Sequence, residues 1–364
     1  MDAIEKERAV LESVKEPCFG HTLKELHAVR MGLTFSGSGP SLEIRLGFPA
    51  DDSLIQTLRK SVSQAFTQAG FAAHDVPVYW EVLAHRVKLG LKPLEGVKNI
   101  IAVSSAKGGV GKSTVAVSLA LALSRLGARV GLLDADIYGP SVPLLLDVHG
   151  KPSETDDQKM IPLTVGPLQV NSIGFFVGES DSLAWRGPMA SGAVRQLLEK
   201  TRWDRLDYLI VDMPPGTGDI PLTLVQSIPV TASLVVTTPQ KLACADAVRG
   251  LQLFEKVGIP VLGIVENMAS FVCPECGHTY RLFTSGQTEA LAERFAVPII
   301  ASLPFTHKTD DLTHEEDCTG DFDEQINRAA RFLAQAISRM PKDMSGVMPG
   351  VRIEGAGLSP KKSS

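Results

Sequence analysis

Between residues 105 and 114 the chain reads Ser105-Ala106-Lys107-Gly108-Gly109-Val110-Gly111-Lys112-Ser113-Thr114. An apolar, β-branched run, Asn99 to Ser104, precedes this segment, and an apolar run of helical length, Val115 to Leu126, follows it and stops at Gly127. A glycine-rich turn between a strand and a helix lets successive backbone N–H groups converge on phosphate oxygens, and the helix N-terminus adds partial positive charge. The sequence therefore predicts a phosphate-binding loop (P-loop) with a nucleotide as its ligand.

The side chains of this loop have distinct expected roles. The backbone of residues 108–114 would cradle the phosphates, and the Lys112 ammonium would reach the β- and γ-phosphates. The Ser113 hydroxyl would complete the shell of a Mg²⁺ ion. Lys107 is a second lysine inside the cradle. This extra cation suggests a nucleotide switch that two subunits operate together.

Length and composition narrow the class of protein. With 364 residues, 44% of them hydrophobic, the chain can bury a large core and form about two domains. Its formal net charge of −5 provides no overall cationic field for DNA, so we expect no nucleic-acid partner. No apolar run approaches the roughly 18 residues that span a bilayer, and Met1 to Glu7 resembles neither a signal nor a transit peptide. We expect a cytoplasmic protein without a membrane partner.

The sequence pattern divides the chain into three regions. Residues 1–90 predict a small α+β domain, and a Pro- and Gly-containing link over 89–96 leads into a second domain over 97–340. Residues 342–364 contain Pro, Gly, Ser and Lys without any period, so we expect a disordered tail there. The elements expected in the first domain are a helix, a strand and a helix, over 4–14, 41–48 and 52–69.

Short, continuous apolar runs rich in β-branched residues alternate with helical runs through the second domain. Strands buried on both faces have this composition, so we predict an α/β fold in which helices cover a parallel β-sheet. Ligands of such sheets bind at the carboxyl ends of the strands. The expected strands cover 99–104, 128–134, 208–212, 232–237, 261–265 and 298–302.

Acidic residues end two of these strands. Asp212 precedes Met-Pro-Pro-Gly-Thr-Gly-Asp219, whose rigid prolines and mobile glycines suit a segment that senses the γ-phosphate. Asp134 and Asp136 end the other strand. A nucleotide hydrolase needs such carboxylates to hold Mg²⁺ and to orient water, because phosphoryl transfer depends on positioning and charge neutralisation. We therefore predict catalytic roles for Asp136 and Asp212 beside the loop lysines; a helix or turn cap is the alternative for each.

A second chemical site is predicted at Cys273-Pro-Glu-Cys276-Gly-His278. Two thiolates at this spacing supply half of a tetrahedral sulfur site, and the sequence contains no second Cys-x-x-Cys. Three completions are open. The same pair of a symmetric partner would give four thiolates across a dimer axis, His278 or a remote Cys or His would give a zinc knuckle, and the two thiols could form a redox disulfide. A simple turn is the fourth interpretation.

Several motifs of the second domain occur together in one known protein family. The most selective are Asp212-Met-Pro-Pro-Gly-Thr-Gly-Asp219 and the Cys273/Cys276 pair. Through these motifs, residues 97–340 resemble the Mrp/ApbC/NBP35 family of iron–sulfur cluster carrier proteins, a branch of the deviant-Walker-A (SIMIBI, MinD-like) P-loop NTPases. The other matching motifs are Lys107–Thr114, Asp134–Ser141, Trp185–Met189, Thr238–Gln240 and Glu266–Met268.

The resemblance implies a specific assembly and chemistry. It implies a homodimer that binds ATP and Mg²⁺ at the subunit interface, hydrolyses ATP slowly and transfers a cluster to apo iron–sulfur proteins. The cluster would be [4Fe–4S], bridging two Cys273/Cys276 pairs. Lys107 would reach the nucleotide of the opposite subunit, Asp136 would orient the attacking water and Asn267 would hydrogen-bond the adenine. The Mg²⁺ ligands would be Ser113 and Asp212.

The amino-terminal region resembles the MIP18 (DUF59) domain that is often fused to these carriers. The resemblance rests on Val14-Lys-Glu-Pro17 and on Leu26 to Leu33. Many such domains carry a cysteine later in the domain, whereas Gly47 to Asp52 contains none. We therefore expect this domain to dock partners rather than to bind a metal.

Two other functions fit parts of the sequence. A MinD- or ParA-type positioning ATPase shares the P-loop, but a MinD-like protein would carry a C-terminal amphipathic membrane helix, and Pro and Gly interrupt Val347 to Gly357. A zinc-knuckle interaction protein with a vestigial ATPase would account for the Cys pair. Only the cluster carrier uses both sites.

Overall fold

The structure, a computed structural model, describes eight stretches of the chain. They comprise residues 3–33, 40–72, 75–87, 90–176, 187–273, 275–283, 286–305 and 321–343. The predicted motif residues Trp185 and Arg186, and the expected tail beyond residue 343, lie outside these stretches.

The amino-terminal region folds as a small α+β unit. Its elements are α1 (Ala3–Ser13), β1 (Val29–Leu33), β2 (Pro40–Leu46), α2 (Asp52–Gln68) and β3 (Val78–Trp80). β1 pairs antiparallel with β2, and β3 pairs parallel with β2. Helix α2 begins after Asp51, whose carboxylate accepts the backbone N–H of Leu54 at 2.9 Å. The predicted helix, strand and helix correspond to α1, β2 and α2, whereas β1 and β3 were not predicted. The position of the domain boundary stays a prediction.

A nine-stranded sheet dominates the rest of the chain. Its strands are β4 (Val97–Ser104), β5 (Val130–Asp134), β8 (Leu163–Val165), β9 (Leu168–Ser172), β10 (Leu206–Asp212), β11 (Ala232–Thr237), β12 (Val261–Val272), β13 (Thr279–Tyr280) and β14 (Ile299–Phe305). β4 lies at the centre between β10 and β11, and the order is β13-β12-β11-β4-β10-β5-β9-β8, with β14 beside β12. All pairings are parallel except those of β8 and β13. A separate hairpin joins β6 (Ser153–Glu154) to β7 (Met160–Ile161).

Helices cover both faces of this sheet. The first face carries α3 (Lys112–Arg125), α4 (Val142–Leu145) and α9 (Asp321–Ser338), and the second carries α5 (Gly187–Lys200), α6 (Asp219–Ser227), α7 (Lys241–Val257) and α8 (Gln287–Phe295). Neighbouring strand residues point to opposite faces: Ile101 joins the first core and Ile100 the second. The prediction of an α/β fold with a parallel sheet is therefore confirmed.

The sheet differs from the prediction in several strands: β8 and β13 were not predicted, and β14 runs to Phe305 rather than to residue 302. Two further differences concern β12 and β9. β12 ends at Val272 rather than at residue 265, because its last residues pair with β13 and β14. β9, which pairs with β5, was not predicted at all. Both differences concern strands that depend on distant partners, and both bear on the candidate site.

The amino-terminal unit packs on α9 and on the amino end of β4. The rings of Phe19 and Phe332 meet edge to face at 5.6 Å, and Asp51 pairs with Arg331 of α9 at 2.5 Å. At the start of β4, the Asn99 side chain accepts the backbone N–H of His85 at 3.2 Å. The buried residues of the unit belong to the same continuous core as α3 and α9. The unit therefore lies at the opposite end of β4 from the P-loop.

The segment that follows α9 is hydrogen-bonded to the connection between β3 and β4. The N–H of Arg86 donates to the carbonyl of Pro341 at 2.9 Å, and the N–H of Asp343 donates to that of Ala84 at 3.0 Å. Lys342, which forms an isolated β-bridge with His85, and Asp343 are thus attached to the β3–β4 connection, although both belong to the expected tail. Within the described residues, no helix combines the length and apolarity that a bilayer crossing requires.

Candidate nucleotide and cluster sites

The P-loop lies between β4 and α3, as predicted. Gly109 and Gly111 have φ values of 78° and 80°, a region that strains residues with a side chain. A Cβ atom built on Gly108 or Gly109 would meet no heavy atom within 4 Å, so open space lies in front of this part of the backbone. The loop therefore has the form of a cradle that a phosphate can approach.

Lys112 brings the two predicted carboxylates together. Its buried Nζ lies 2.5 Å from Asp212 Oδ1, 3.8 Å from Asp136 Oδ2 and 3.2 Å from Ser113 Oγ. The other oxygens, Asp212 Oδ2 and Asp136 Oδ1, are buried without a hydrogen-bond partner among the described residues. Burial raises the pKa of Asp136 although Lys112 opposes the shift. Unpaired buried carboxylate oxygens beside a hydroxyl are a donor set that suits Mg²⁺, so the predicted residues fit this ion.

Asp134 differs from Asp136 in its surroundings. It is fully buried and accepts three hydrogen bonds, from the N–H groups of Asp136 (3.1 Å) and Val142 (3.2 Å) and from the Ser172 hydroxyl (3.1 Å). Burial, with Asp212 as the second cause, raises the pKa of Asp134 to about 7. Asp134 therefore holds the backbone around Asp136 in place. Ser172, at the end of β9, was not predicted; the apolar alternation of Leu168 and Val170 was the available signal.

The segment that follows Asp212 is hydrogen-bonded to the P-loop strand. The N–H of Met213 donates to the carbonyl of Val103 at 3.0 Å, and the N–H of Gly216 donates to the carbonyl of Ser105 at 2.8 Å. Gly216 has a φ of 103°, so this turn favours glycine. Asp219 at the end of the segment is exposed. The predicted sensing segment thus lies beside the cradle, and its sensing role stays a prediction.

The first lysine of the loop contrasts with the second. Lys107 is exposed, and its ammonium has no ion-pair partner in the described part of the chain. The Ser105 hydroxyl donates to the Lys107 carbonyl at 2.9 Å, which fixes the backbone rather than the side chain. The contact of Lys107 with a second subunit stays a prediction.

Asn267 lies on β12 and contacts the underside of the P-loop. Its Nδ2 donates to the carbonyl of Val110 at 2.9 Å, and its Oδ1 accepts the N–H of Met268 at 3.0 Å. A Cβ atom on Gly111 would lie 2.1 Å from that Nδ2, so only glycine fits there. The amide still has a second N–H for another acceptor. Adenine binding by Asn267 stays a prediction, and its contact with the loop was not foreseen.

The Cys pair lies at the tip of the β12–β13 hairpin. The N–H of Cys273 donates to the carbonyl of His278, and the N–H of Gly277 donates to the carbonyl of Cys273, both at 2.9 Å. Cys276 is exposed and Cys273 is half-exposed. Backbone N–H groups of Cys276 and Glu275 lower the pKa of the Cys273 thiol and favour the thiolate that binds metals.

In the part of the chain that the structure describes, no third ligand completes this sulfur site. Among the described residues, no group of three or more His, Cys, Asp or Glu side chains is arranged to hold a metal ion. The His278 ring instead packs edge to face against Tyr280, with 4.6 Å between the centroids. Within the described stretches, the pair is therefore an accessible and incomplete half-site.

The sequence comparisons agree with this geometry. Residues 96–339 match the family model of ParA, described as NUBPL iron-transfer P-loop NTPase. An iron–sulfur cluster carrier protein of Haemophilus influenzae is 51% identical over 73% of this chain and 73% of its own. A protein of the same name from Salmonella typhimurium is 44% identical over 81% of this chain and 80% of its own.

Solved structures support the same fold. A nucleotide-binding protein from Archaeoglobus fulgidus, in complex with ADP, has a TM-score of 0.56 and 37% identity, covering 63% of this chain and 92% of that chain. The cell division ATPase MinD of Pyrococcus furiosus has a TM-score of 0.51, covers 65% of this chain and 99% of that chain, and at 21% identity shows the fold alone. The resemblance inferred from the motifs is confirmed: the chain belongs to the ParA/NUBPL family of iron-transfer P-loop NTPases.

Proposed function

We propose that this protein is an ATP-binding and slowly hydrolysing carrier that receives an iron–sulfur cluster and transfers it to apo-proteins. The observation that carries the proposal is the presence, in one P-loop domain, of a lysine–carboxylate cradle and an exposed, incomplete cysteine pair. Relatives of 44% to 51% identity that bear the name iron–sulfur cluster carrier protein support it. In the cell, such a carrier would work in the cytoplasm.

The nucleotide site is proposed to bind ATP with Mg²⁺. The backbone at Gly108 and Gly109 would cradle the phosphates, Lys112 would neutralise their charge, and Ser113 and Asp212 would hold the ion. Bound Mg²⁺ supplies neutralisation of the phosphate charge. Asp136 would accept a hydrogen bond from water and orient it, because one of its oxygens is buried and has no hydrogen-bond partner among the described residues.

The cluster is proposed to be [4Fe–4S] and to bridge two subunits. Each chain offers Cys273 and Cys276, whereas such a cluster needs four thiolates. Lys107, exposed in the loop, would reach the nucleotide of the opposite subunit. One symmetric homodimer would therefore satisfy the incomplete sulfur site and engage the free lysine.

Anaerobic reconstitution with iron and sulfide tests the proposal. We expect a brown protein that absorbs near ~400 nm, loses this absorption in Cys273→Ala and transfers the cluster to an apo-acceptor. Colourless protein with one tightly held zinc per chain would instead support a zinc-knuckle interaction protein. A cluster that transfers equally well in Lys112→Ala, with or without ATP, would refute a link between the nucleotide and the cargo.

A further inference from the structure

One strand connects the two candidate sites. β12 places Asn267 against the P-loop and continues to Val272, directly before Cys273. The distance from Asn267 to Cys273 along an extended chain is about 20 Å. The two sites are thus linked by a single element rather than by a chain of loops.

This strand is irregular where it touches the P-loop. β12 pairs with β14 at Glu266 and again at Ser270, and the three residues between them oppose a single residue of β14. Met268, inside this bulge, has a φ of 56°, a left-handed conformation that is unfavourable for a residue with a side chain. A bulge of this kind bends a strand and changes its twist locally. Residues 267–269 are therefore the part of β12 that is least constrained by regular pairing.

The bulge and the P-loop are in close contact. Besides the hydrogen bond from Asn267 to Val110, the Met268 side chain approaches Gly111, since its Cε would lie 3.9 Å from a Cβ built there. Close-packed groups transmit displacements because there is no void to absorb them. A shift of the Val110–Gly111 peptide must therefore move Asn267 or break its hydrogen bond.

Beyond the bulge, the strand is tied to the cysteine hairpin. Phe271 pairs with both β13 and β14, Val272 pairs with β13, and the N–H of Cys273 donates to the carbonyl of His278. These bonds make the end of β12 and the hairpin one unit. A change in the bend at the bulge would reorient Cys273 and Cys276 together.

We propose that residues 267–269 transmit the occupancy of the P-loop to the cysteine pair, with the Asn267 side chain as the connecting contact. Asn267 is in this sense a positioning residue for the sulfur site, in addition to any contact with the base. The biological meaning rests on the proposed function, because the cysteine pair is where the cargo would bind. The contact path itself consists only of protein atoms.

The test measures thiol reactivity in the metal-free, reduced, full-length protein. The rate of Cys273 alkylation by iodoacetamide is followed by peptide mass spectrometry, without nucleotide and with saturating ADP or a non-hydrolysable ATP analogue plus Mg²⁺. Nucleotide affinity is measured for each variant so that every protein is saturated, and light scattering identifies a dilution at which the chain is monomeric. The variants are Asn267→Ala and, as a matched control on the neighbouring strand β14, Ser302→Ala, which removes the hydroxyl that donates to Glu266 at 3.1 Å.

We expect nucleotide to change the alkylation rate about five-fold or more in the wild type and in Ser302→Ala, and to leave it unchanged in Asn267→Ala. An unchanged rate in the wild type, or a wild-type response in nucleotide-bound Asn267→Ala, would overturn the proposal. If Asn267→Ala does not fold, Asn267→Asp retains the acceptor for Met268 and removes the donor to Val110. Failure to build a cluster would reject the proposed function but would leave the alkylation rates, and what they say about residues 267–269, unaffected.

Discussion

The nucleotide end and the cysteine end of the carboxyl edge of the sheet are built in opposite ways. At the nucleotide end, Lys112, Asp212 and Asp136 are buried and paired within one chain. At the cysteine end, Cys276 is exposed on a two-stranded hairpin and no third ligand completes the site in the described residues. The fold prepares the first site within one chain, whereas the second site is incomplete in the described residues.

The difference follows from the chemistry of the groups. Charges that neutralise a phosphate act more strongly in a low-dielectric interior, but burial requires that the fold pair them first. Thiols that must receive and release a cargo have to be reachable by other proteins. Burial at one end and exposure at the other are therefore the expected outcome for a protein that couples the two.

The largest effect is expected at the exposed end. Cys276→Ala should abolish retention of the reconstituted cluster, because one of the two thiolates of the half-site is lost. Its free energy of unfolding should stay within about 0.5 kcal/mol of the wild type, since the side chain is exposed. Iron and sulfide analysis checks the first expectation and chemical denaturation the second. Cys18→Ala, which removes an exposed cysteine of the amino-terminal unit, should retain the cluster; loss of the cluster there would contradict the assignment.

A large loss of stability is expected at the buried end. Lys112→Ala leaves Asp212 and Asp136 buried without their cation and should lower the free energy of unfolding of the nucleotide-free protein by about 3 kcal/mol. Urea denaturation with and without ATP measures this loss and the absence of nucleotide binding. An unchanged midpoint would show that the buried pair does not stabilise the fold.

The pH dependence of the free energy of unfolding should reveal the raised pKa of Asp134. A folded-state pKa of about 7, above the ordinary value of 3.8, means that the folded state holds a proton that the unfolded chain releases. The contribution is present at low pH and is lost as pH rises through 7. The difference in unfolding free energy between the wild type and Asp134→Asn should therefore fall by about 2 kcal/mol between about pH 5 and about pH 8. A difference independent of pH would contradict the raised pKa.

The smallest effect on stability is expected for Lys107, the other lysine of the P-loop. Lys107→Ala should change the free energy of unfolding by less than about 0.5 kcal/mol, because this exposed side chain has no ion pair in the described residues. It should nevertheless reduce ATP hydrolysis, if Lys107 acts on the nucleotide of a partner. Steady-state ATP hydrolysis, measured in parallel for Lys107→Ala and Lys112→Ala, distinguishes the roles of the two lysines. Unimpaired hydrolysis would leave Lys107 without a catalytic role.

Local patterns made the nucleotide end predictable. The cradle, its helix and the two carboxylates depend on short motifs at the ends of apolar strands, and β11 was predicted with its observed bounds, Ala232–Thr237. The fold class followed because strands buried on both faces are apolar throughout. In these cases, residues that are close to one another in sequence are sufficient to predict the structure.

Contacts between distant residues account for what was missed. Val110 and Asn267 are 157 residues apart, and Asp134 and Ser172 are 38 residues apart. No local sequence pattern therefore predicts either hydrogen bond. The last residues of β12 form a strand only because β13 and β14 pair with them. The bulge at Met268 likewise exists only in the paired sheet.

Native mass spectrometry of the anaerobically reconstituted protein tests most directly whether the exposed half-site is completed by a second chain. We expect a species with two chains, about four iron and about four sulfide ions, which Cys276→Ala fails to form. A single chain that retains a complete cluster, or a colourless chain with one zinc, would contradict this account.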